Sequence, residues 1–208
     1  MSTKQVELWR SEFGDAYAQR GSNRITAEGQ SALIRDWGKI LRRAATPRPE
    51  NALEVGCNIG RNLLALRHFI PELHGVEPNA AACKQARERE ELAQATIVES
   101  DGFNLPYADS SIDLVFTSGV LIHVAPDDLG AVVDEVVRVA RQYIVCIEYF
   151  SHEPTEVKYH RRNGVLFKRD FGKFYLDRYP GLRVLDYGFL WQVLDSSDNT
   201  NWWLFSKR

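Results

Sequence analysis

Glu54, Gly56, Asn58 and Gly60 fall in one stretch, ALEVGCNIGRNLL (52–64), where an apolar run gives way to a glycine-punctuated turn and then to helical spacing. At the carboxyl end of a strand such a turn exposes backbone N–H groups at a helix start, which suits a nucleotide-like cofactor. Without a ligand it is only a tight strand-to-helix connection. The spacing discriminates between cofactor templates. G-x-G-x-x-G, the dinucleotide pattern, sets Gly56, Asn58 and Arg61 against its glycines, so two of three positions fail. An acid two residues before G-x-G-x-G gives Glu54, Gly56, Asn58 and Gly60 and departs only at Asn58, a residue type that tolerates left-handed backbone.

Further candidates follow at strand ends. HGVEPN closes a strand with Glu77 and Pro78, where a carboxylate can accept both ribose hydroxyls. A dinucleotide enzyme can carry the same acid, so Glu77 points to an adenosine ligand of either kind. ESDGFNLP places Asp101 to accept from an adenine amino group and Phe103 to flank the ring. His123 in SGVLIHV is either a general base or substrate contact, or a histidine bonded to backbone at the sheet mouth. Glu148 and His152 flank the end of the fifth strand and could orient a substrate hydroxyl or amine; the plainer expectation is exposed polar residues where a strand stops. Lys158, His160, Arg161, Arg162, Lys168 and Arg169 form a basic cluster beside Tyr159, either a solvated loop surface or a clamp for an anionic substrate.

The elements that must position these groups alternate. NALEVG (51–56), LHGVEP (73–78), ATIVES (95–100), IDLVFTS (112–118) and QYIVCIEYF (142–150) read as strands, and 61–69, 80–92 and 127–141 have helical spacing. In the last of these, Leu129, Val132, Val133, Val136 and Val137 form one apolar face. Near-continuously apolar strands separated by helices predict an α/β fold with a parallel sheet covered on both faces. LRVLDYGFLWQVL and NTNWWLFSKR, flanking DSSDNT, predict an antiparallel hairpin at the sheet edge. Helical patterns at 5–20 and 26–45 precede the first strand, so 1–50 is expected to be a helical cap or substrate lid on a core of 51–208. Trp9, Phe13 and Tyr17 share one helical face, which predicts a stripe packing Trp9 and Phe13 onto the sheet.

Composition narrows the function classes. The 208 residues carry a formal net charge of -2 and are 44% hydrophobic, a soluble globular balance without the basic field of non-specific nucleic-acid binders. No window holds about eighteen uninterrupted apolar residues, and the amino terminus lacks a signal-peptide core, so a cytoplasmic protein without membrane partners is expected. Cys57, Cys83 and Cys146 have neither disulfide nor metal-clip spacing, and no Asp/Asn/His cluster has ligand spacing, so no metal is expected.

The stretch from 51 through 150 resembles the class I S-adenosylmethionine-dependent methyltransferases: LEVGCNIG is similar to their first motif, GVEPN to their second, and SDGFNLPYADSSIDLVFTSGVLIHV to their adenine and post-adenine segments. The resemblance implies a Rossmann-like seven-stranded, mostly parallel sheet with an antiparallel last strand, and S-adenosylmethionine as cofactor with S-adenosylhomocysteine as product. It also implies roles for the matching positions. Gly56 and Gly60 would let backbone approach the methionine part, Glu54 would support the loop, and Glu77 would hold the ribose. Asp101, Gly102 and Phe103 would hold the adenine, Ser118 and Gly119 would line the methyl site, and Tyr17 would reach the cofactor carboxylate.

If the acceptor is a hydroxyl or amine, His123, with His152 behind it, is the candidate base; a carboxylate acceptor needs none. Thr117–Val124 has no Asn/Asp-Pro-Pro-aromatic sequence to grip a flipped base, which disfavours nucleic acid. ELWRSEFGDAYAQR and YHRRNGVLFKRDFG are similar to methylases associated with nonulosonate sugar (pseudaminic acid) biosynthesis. On that likeness Tyr159, His160, Arg161 and Arg162 would bind a small acidic metabolite or sugar. A monomer or homodimer is expected. The competing classes are an NAD(P)-dependent oxidoreductase and a cofactor-binding module without catalysis.

Overall fold

The computed structural model describes residues 3–22, 25–194 and 198–207. Three helices come first, α1 (Lys4–Arg10), α2 (Glu12–Ser22) and α3 (Ala27–Leu41). An alternating core follows: β1 (Asn51–Val55), α4 (Arg61–Leu66), β2 (Glu72–Glu77), α5 (Ala80–Arg87), β3 (Thr96–Glu99), β4 (Ile112–Ser118), α6 (Leu129–Val139) and β5 (Ala140–Glu148). The carboxyl part adds β6 (Thr155–Tyr159), β7 (Arg162–Lys168), α7 (Phe171–Arg178), β8 (Arg183–Leu190) and β9 (Thr200–Ser206).

Seven strands make one sheet in the order β3-β2-β1-β4-β5-β9-β8. β1 to β5 run parallel, and β9 is antiparallel to both β5 and β8. The expected Rossmann-like α/β sheet with an antiparallel last strand is therefore present, with β8 rather than β9 at the edge. In the turn between these two strands Asp195, Ser196 and Ser197 lie outside the described residues. Strand order reverses between β1 and β4, which opens a crevice beyond their carboxyl ends.

Alternation along each strand sends side chains to two layers. Ala52, Leu114, Phe116, Val145 and Leu204 pack with Trp37 and Ile40 of α3, Leu63 and Leu66 of α4 and Cys83 of α5. Leu53, Val115, Ile144 and Phe205 pack with Phe171 and Tyr175 of α7 and with the α6 stripe, where Leu129, Val132, Val133, Val136 and Val137 are all buried as their spacing predicts. Burying each such aliphatic side chain stabilises the fold by about 1.5–3 kcal/mol before entropy is counted. Among the described residues no helix is long and apolar enough to cross a membrane.

Two local expectations are corrected. The first helical pattern is two helices, because Ser11 leaves the helix in extended backbone and its hydroxyl donates to the Leu8 carbonyl at 2.7 Å. Gly14 then packs so closely that a Cβ there would lie 1.9 Å from the Trp9 carbonyl oxygen. Trp9 and Phe13 consequently pack on rings outside the main sheet: Trp9 on His123, with centroids 4.8 Å apart, and Phe13 on Tyr159 and His160 at 6.3 and 6.1 Å. The expected loop after β5 is instead the separate hairpin β6–β7, which turns through His160 (φ 47) and Arg161 (φ 66).

Candidate active site

Beyond the carboxyl ends of β1, β2 and β4 lies a cavity of about 540 Å³, within the usual range for small-molecule sites. Its floor is the turn after β1. The N–H groups of Gly56 and Cys57 both donate to the Val76 carbonyl, at 2.8 and 2.9 Å, and Gly56, Asn58 and Gly60 all have positive φ, at 78, 48 and 78°. Asn58 thus adopts the left-handed backbone its side chain tolerates. The two glycines answer to different constraints. A Cβ on Gly56 would meet Val120 Cγ2 at 2.5 Å, so its absence lets the turn after β4 close on the cofactor loop. Gly60 does not line the cavity; a Cβ there would meet Leu92 Cδ1 at 2.5 Å. Its place is at the start of α4, against the segment before β3.

Two buried acids stand in this floor. Glu54 is 2% exposed; its Oε1 accepts from Asn62 Nδ2 at 2.6 Å, while Oε2 has no hydrogen-bond partner among the described residues. Glu77 accepts the N–H of Asn58 on Oε2 and that of Asn79 on Oε1, both at 2.9 Å. Burial pushes the Glu54 carboxyl up to about 8, with repulsion from Glu77 adding to it, and burial pushes Glu77 up to about 7. A ligand bringing positive charge and hydroxyl donors would match these acids, whereas an anionic pyrophosphate would face them unfavourably. Pro78, Gly102, Phe103, Ser118 and Gly119 line the same cavity. Asp101 also lines it, with Oδ1 accepting the Phe103 N–H at 3.1 Å and Oδ2 paired with Arg10 of α1 at 3.2 Å.

The opposite wall contains His123, Tyr17, Tyr159 and His160. His123 Nδ1 lies 2.7 Å from the Val165 carbonyl, which can only accept, so Nδ1 carries the proton and Nε2 the lone pair. Burial holds the imidazole down at about 4, and it is neutral at physiological pH. Glu148 places this residue. Expected as an exposed strand end, it is fully buried, because its carboxylate accepts the N–H groups of Val120, Leu121 and Ile122 at 3.1, 3.0 and 3.4 Å. Those bonds hold the single helical turn that ends at His123.

Other candidates stand apart from the cavity. The His152 side chain is 92% exposed and faces Glu153, because the strand has ended before it. Arg161 and Arg162 do not line the cavity; Arg162 lies over the Phe13 ring at 5.5 Å. Three contributors escaped the motif reading. Asn79 caps α5 by accepting from Ala82 N and joins α1 and α2 to the core by donating to the Trp9 carbonyl and Asp15, at 3.0 and 2.8 Å. An Asn just before an apolar helix is a visible capping signal, although its second partnership is not. Trp9 and Glu148 carried no signal beyond an aromatic stripe and one acid ending an apolar run.

Residues 53–146 match the family model described as a methyltransferase domain. The chain is 27% identical over 155 residues to norajmaline N-methyltransferase of Rauvolfia serpentina, covering 67% of this chain and 52% of that protein. It is 30% identical over 121 residues to demethylmenaquinone methyltransferase of Roseiflexus sp. (strain RS-1), covering 56% and 50% respectively. It thus spans about half the length of these curated relatives. Among solved structures, 1,6-didemethyltoxoflavin-N1-methyltransferase of Burkholderia thailandensis, with 1,6-didemethyltoxoflavin and S-adenosylhomocysteine bound, is similar at TM-score 0.73 and 17% identity, covering 100% of this chain and 91% of that one. Magnesium protoporphyrin IX methyltransferase of Synechocystis PCC 6803, with S-adenosylmethionine bound, gives TM-score 0.68 at 13% identity, covering 100% and 99%. Over residues 53–146 the domain match, the strand order and the motif spacing thus agree with the class I S-adenosylmethionine-dependent methyltransferases.

Proposed function

We propose that the protein transfers a methyl group from S-adenosylmethionine to an oxygen or nitrogen atom of a small molecule. The observation that carries this is the acidic floor: Glu54 and Glu77, both buried, one with an oxygen that has no hydrogen-bond partner among the described residues, beside a turn of positive-φ residues. It suits a cationic adenosyl ligand and opposes the pyrophosphate of NAD(P).

In this proposal the carboxylate of Glu54 faces the ammonium end of the cofactor and Tyr17 its carboxylate. Glu77 accepts the ribose hydroxyls on its remaining lone pairs, and Asp101 and Phe103 hold the adenine. When bound, S-adenosylmethionine supplies an electrophilic methyl group, so the chain mainly aligns the acceptor and excludes water. Ser118 and Gly119 border the methyl site. The lone pair of His123 Nε2 receives the proton displaced from an acceptor O–H or N–H as the new bond to carbon forms. A base this weak suits an acceptor that is itself acidic or already nucleophilic. α1 and α2, carrying Trp9 and Tyr17, act as the cap.

The anionic clamp expected of Arg161 and Arg162 gains no support from their position outside the cavity, and the nonulosonate likeness, carried by two segments of sequence, is not part of this proposal. Incubation with methyl-labelled S-adenosylmethionine and a low-molecular-weight metabolite extract tests the activity. Label is expected in the small-molecule fraction with stoichiometric S-adenosylhomocysteine; label confined to S-adenosylmethionine, or incorporated into protein or nucleic acid, contradicts it.

A further inference from the structure

We infer that the acceptor is a planar aromatic or heteroaromatic molecule, held in a slot of rings between the first two helices, the His123 turn and the β6–β7 hairpin. The inference rests on the methyl-transfer proposal and adds to it the chemical class of the substrate. Besides Phe103, assigned above to the adenine, six ring side chains line this cavity among the described residues: Trp9, Tyr17, His123, Tyr149, Tyr159 and His160. Five of them, all but Tyr149, form a connected wall. Trp9 lies 5.2 Å from Tyr17 and 4.8 Å from His123, His123 lies 5.1 Å from Tyr159, and Tyr159 lies 4.4 Å from His160. Neighbouring rings are inclined by 55–84°, so together they make the sides of a slot rather than one flat platform. A flat π-system can meet both faces and edges in such a slot.

Two cations of the basic cluster, Arg162 and Lys168, back these rings. Arg162 sits over Phe13 at 5.5 Å, Lys168 over Tyr149 at 5.0 Å and Arg169 over Phe174 at 4.4 Å, and none of the three cations lines the cavity. Phe13 in turn meets Tyr159 and His160, and the Tyr149 hydroxyl donates to Asp198 at 2.7 Å. The hairpin tip that carries Tyr159 and His160 is built at a cost, since His160 and Arg161 both hold left-handed backbone without being glycine. Of the cations that do line the cavity, Arg20 lies over the Tyr17 ring at 5.6 Å and Arg61 belongs to the floor at the start of α4, so the ring wall itself, with Asp198 on Tyr149, disfavours a carboxylate or phosphate acceptor. A polyhydroxylated sugar would need many hydrogen-bond partners. Of the cavity's buried polar atoms without a hydrogen-bond partner among the described residues, Glu54 Oε2 and Asn58 Oδ1 belong to the floor, while Thr200 Oγ1, with Nε2 of His123, suits one or two polar substituents on an otherwise apolar plane.

The test titrates S-adenosylhomocysteine first and then, on the saturated full chain, three probes: 2-naphthol, its saturated counterpart decahydro-2-naphthol, and N-acetylneuraminic acid. 2-Naphthol is expected to bind at least about ten-fold more tightly than the saturated alcohol, with no saturable binding of the sugar acid. Trp9→Leu and Tyr159→Leu should each erase most of that preference while S-adenosylhomocysteine affinity stays within about two-fold. Equal affinity for the two alcohols, preference for the sugar acid, or a naphthol preference untouched in both variants overturns the inference. Absence of S-adenosylhomocysteine binding instead contradicts the methyl-transfer proposal beneath it.

Discussion

Glu77 Oε2 accepts the backbone N–H of Asn58 at 2.9 Å, so the last residue of β2 holds the turn that leaves β1. Its other oxygen accepts the N–H of Asn79, and one carboxylate therefore shapes the floor of the cavity from both strands. The same group, in the proposed complex, meets the ribose.

Glu77→Ala should accordingly weaken S-adenosylmethionine binding by about two orders of magnitude or more, since each lost charge-assisted hydrogen bond contributes about 1.5–3 kcal/mol. Asn58→Gly should change affinity by less than about three-fold, because glycine adopts a φ of 48° without strain. Calorimetric titration of both variants checks the pair. A loss at Asn58→Gly as large as at Glu77→Ala would show that the buried amide oxygen, without a partner among the described residues, is itself a ligand contact.

Binding of S-adenosylmethionine near pH 7 should release protons. Glu54 and Glu77 have carboxyls raised from 4.5 to about 8 and about 7, so the ligand-free site holds protons that a cationic ligand expels. Affinity should rise between about pH 6 and pH 9, and the apparent binding heat should vary with the buffer's ionisation enthalpy. The stability signs run the same way. A raised folded-state value gives stability that is full below 4.5 and lost as pH rises through 7 to 8, so the ligand-free melting temperature should fall across that window. His123, lowered from 6.5 to about 4, has the opposite sign over a partly overlapping range: its contribution is full above 6.5 and lost as pH falls toward 4. A pH-independent affinity would remove the acidic floor from recognition.

Glu148→Gln should lower the turnover number more than cofactor affinity. The amide keeps the side chain's shape but sets an NH₂ among three N–H donors, which loosens the turn carrying His123. A stability loss of about 2 kcal/mol corresponds to a melting temperature roughly 4–8 °C lower. Unchanged turnover and an unchanged pH–rate profile alongside that shift would make Glu148 purely structural.

Much of the core was legible because its signals are local. The α6 stripe from Leu129 to Val137, the apolar strands and the acid-glycine spacing at Glu54–Gly60 each follow from periodicity or turn chemistry within a few residues. The β6–β7 hairpin was hidden, since its turn uses His160 and Arg161 where Asn-Gly would announce it. Glu148 and Trp9 were opaque for another reason: their partners, the N–H groups of 120–122 and the His123 ring, lie 26 to 28 and more than a hundred positions away. Gly60 showed its turn but not its neighbour Leu92.

Gly60→Ala should destabilise the protein by about 1–3 kcal/mol through left-handed strain and the overlap with Leu92, and leave S-adenosylhomocysteine affinity within about two-fold. Urea denaturation and titration together check this. An affinity loss without destabilisation would return Gly60 to the ligand contact expected from its motif position.

Calorimetric titration of the full chain with S-adenosylmethionine and, separately, with NAD tests the central claim most directly. S-adenosylmethionine is expected to give a saturable, single-site isotherm accompanied by proton release, and NAD no saturable heat. Saturable binding of NAD with none of S-adenosylmethionine would contradict it.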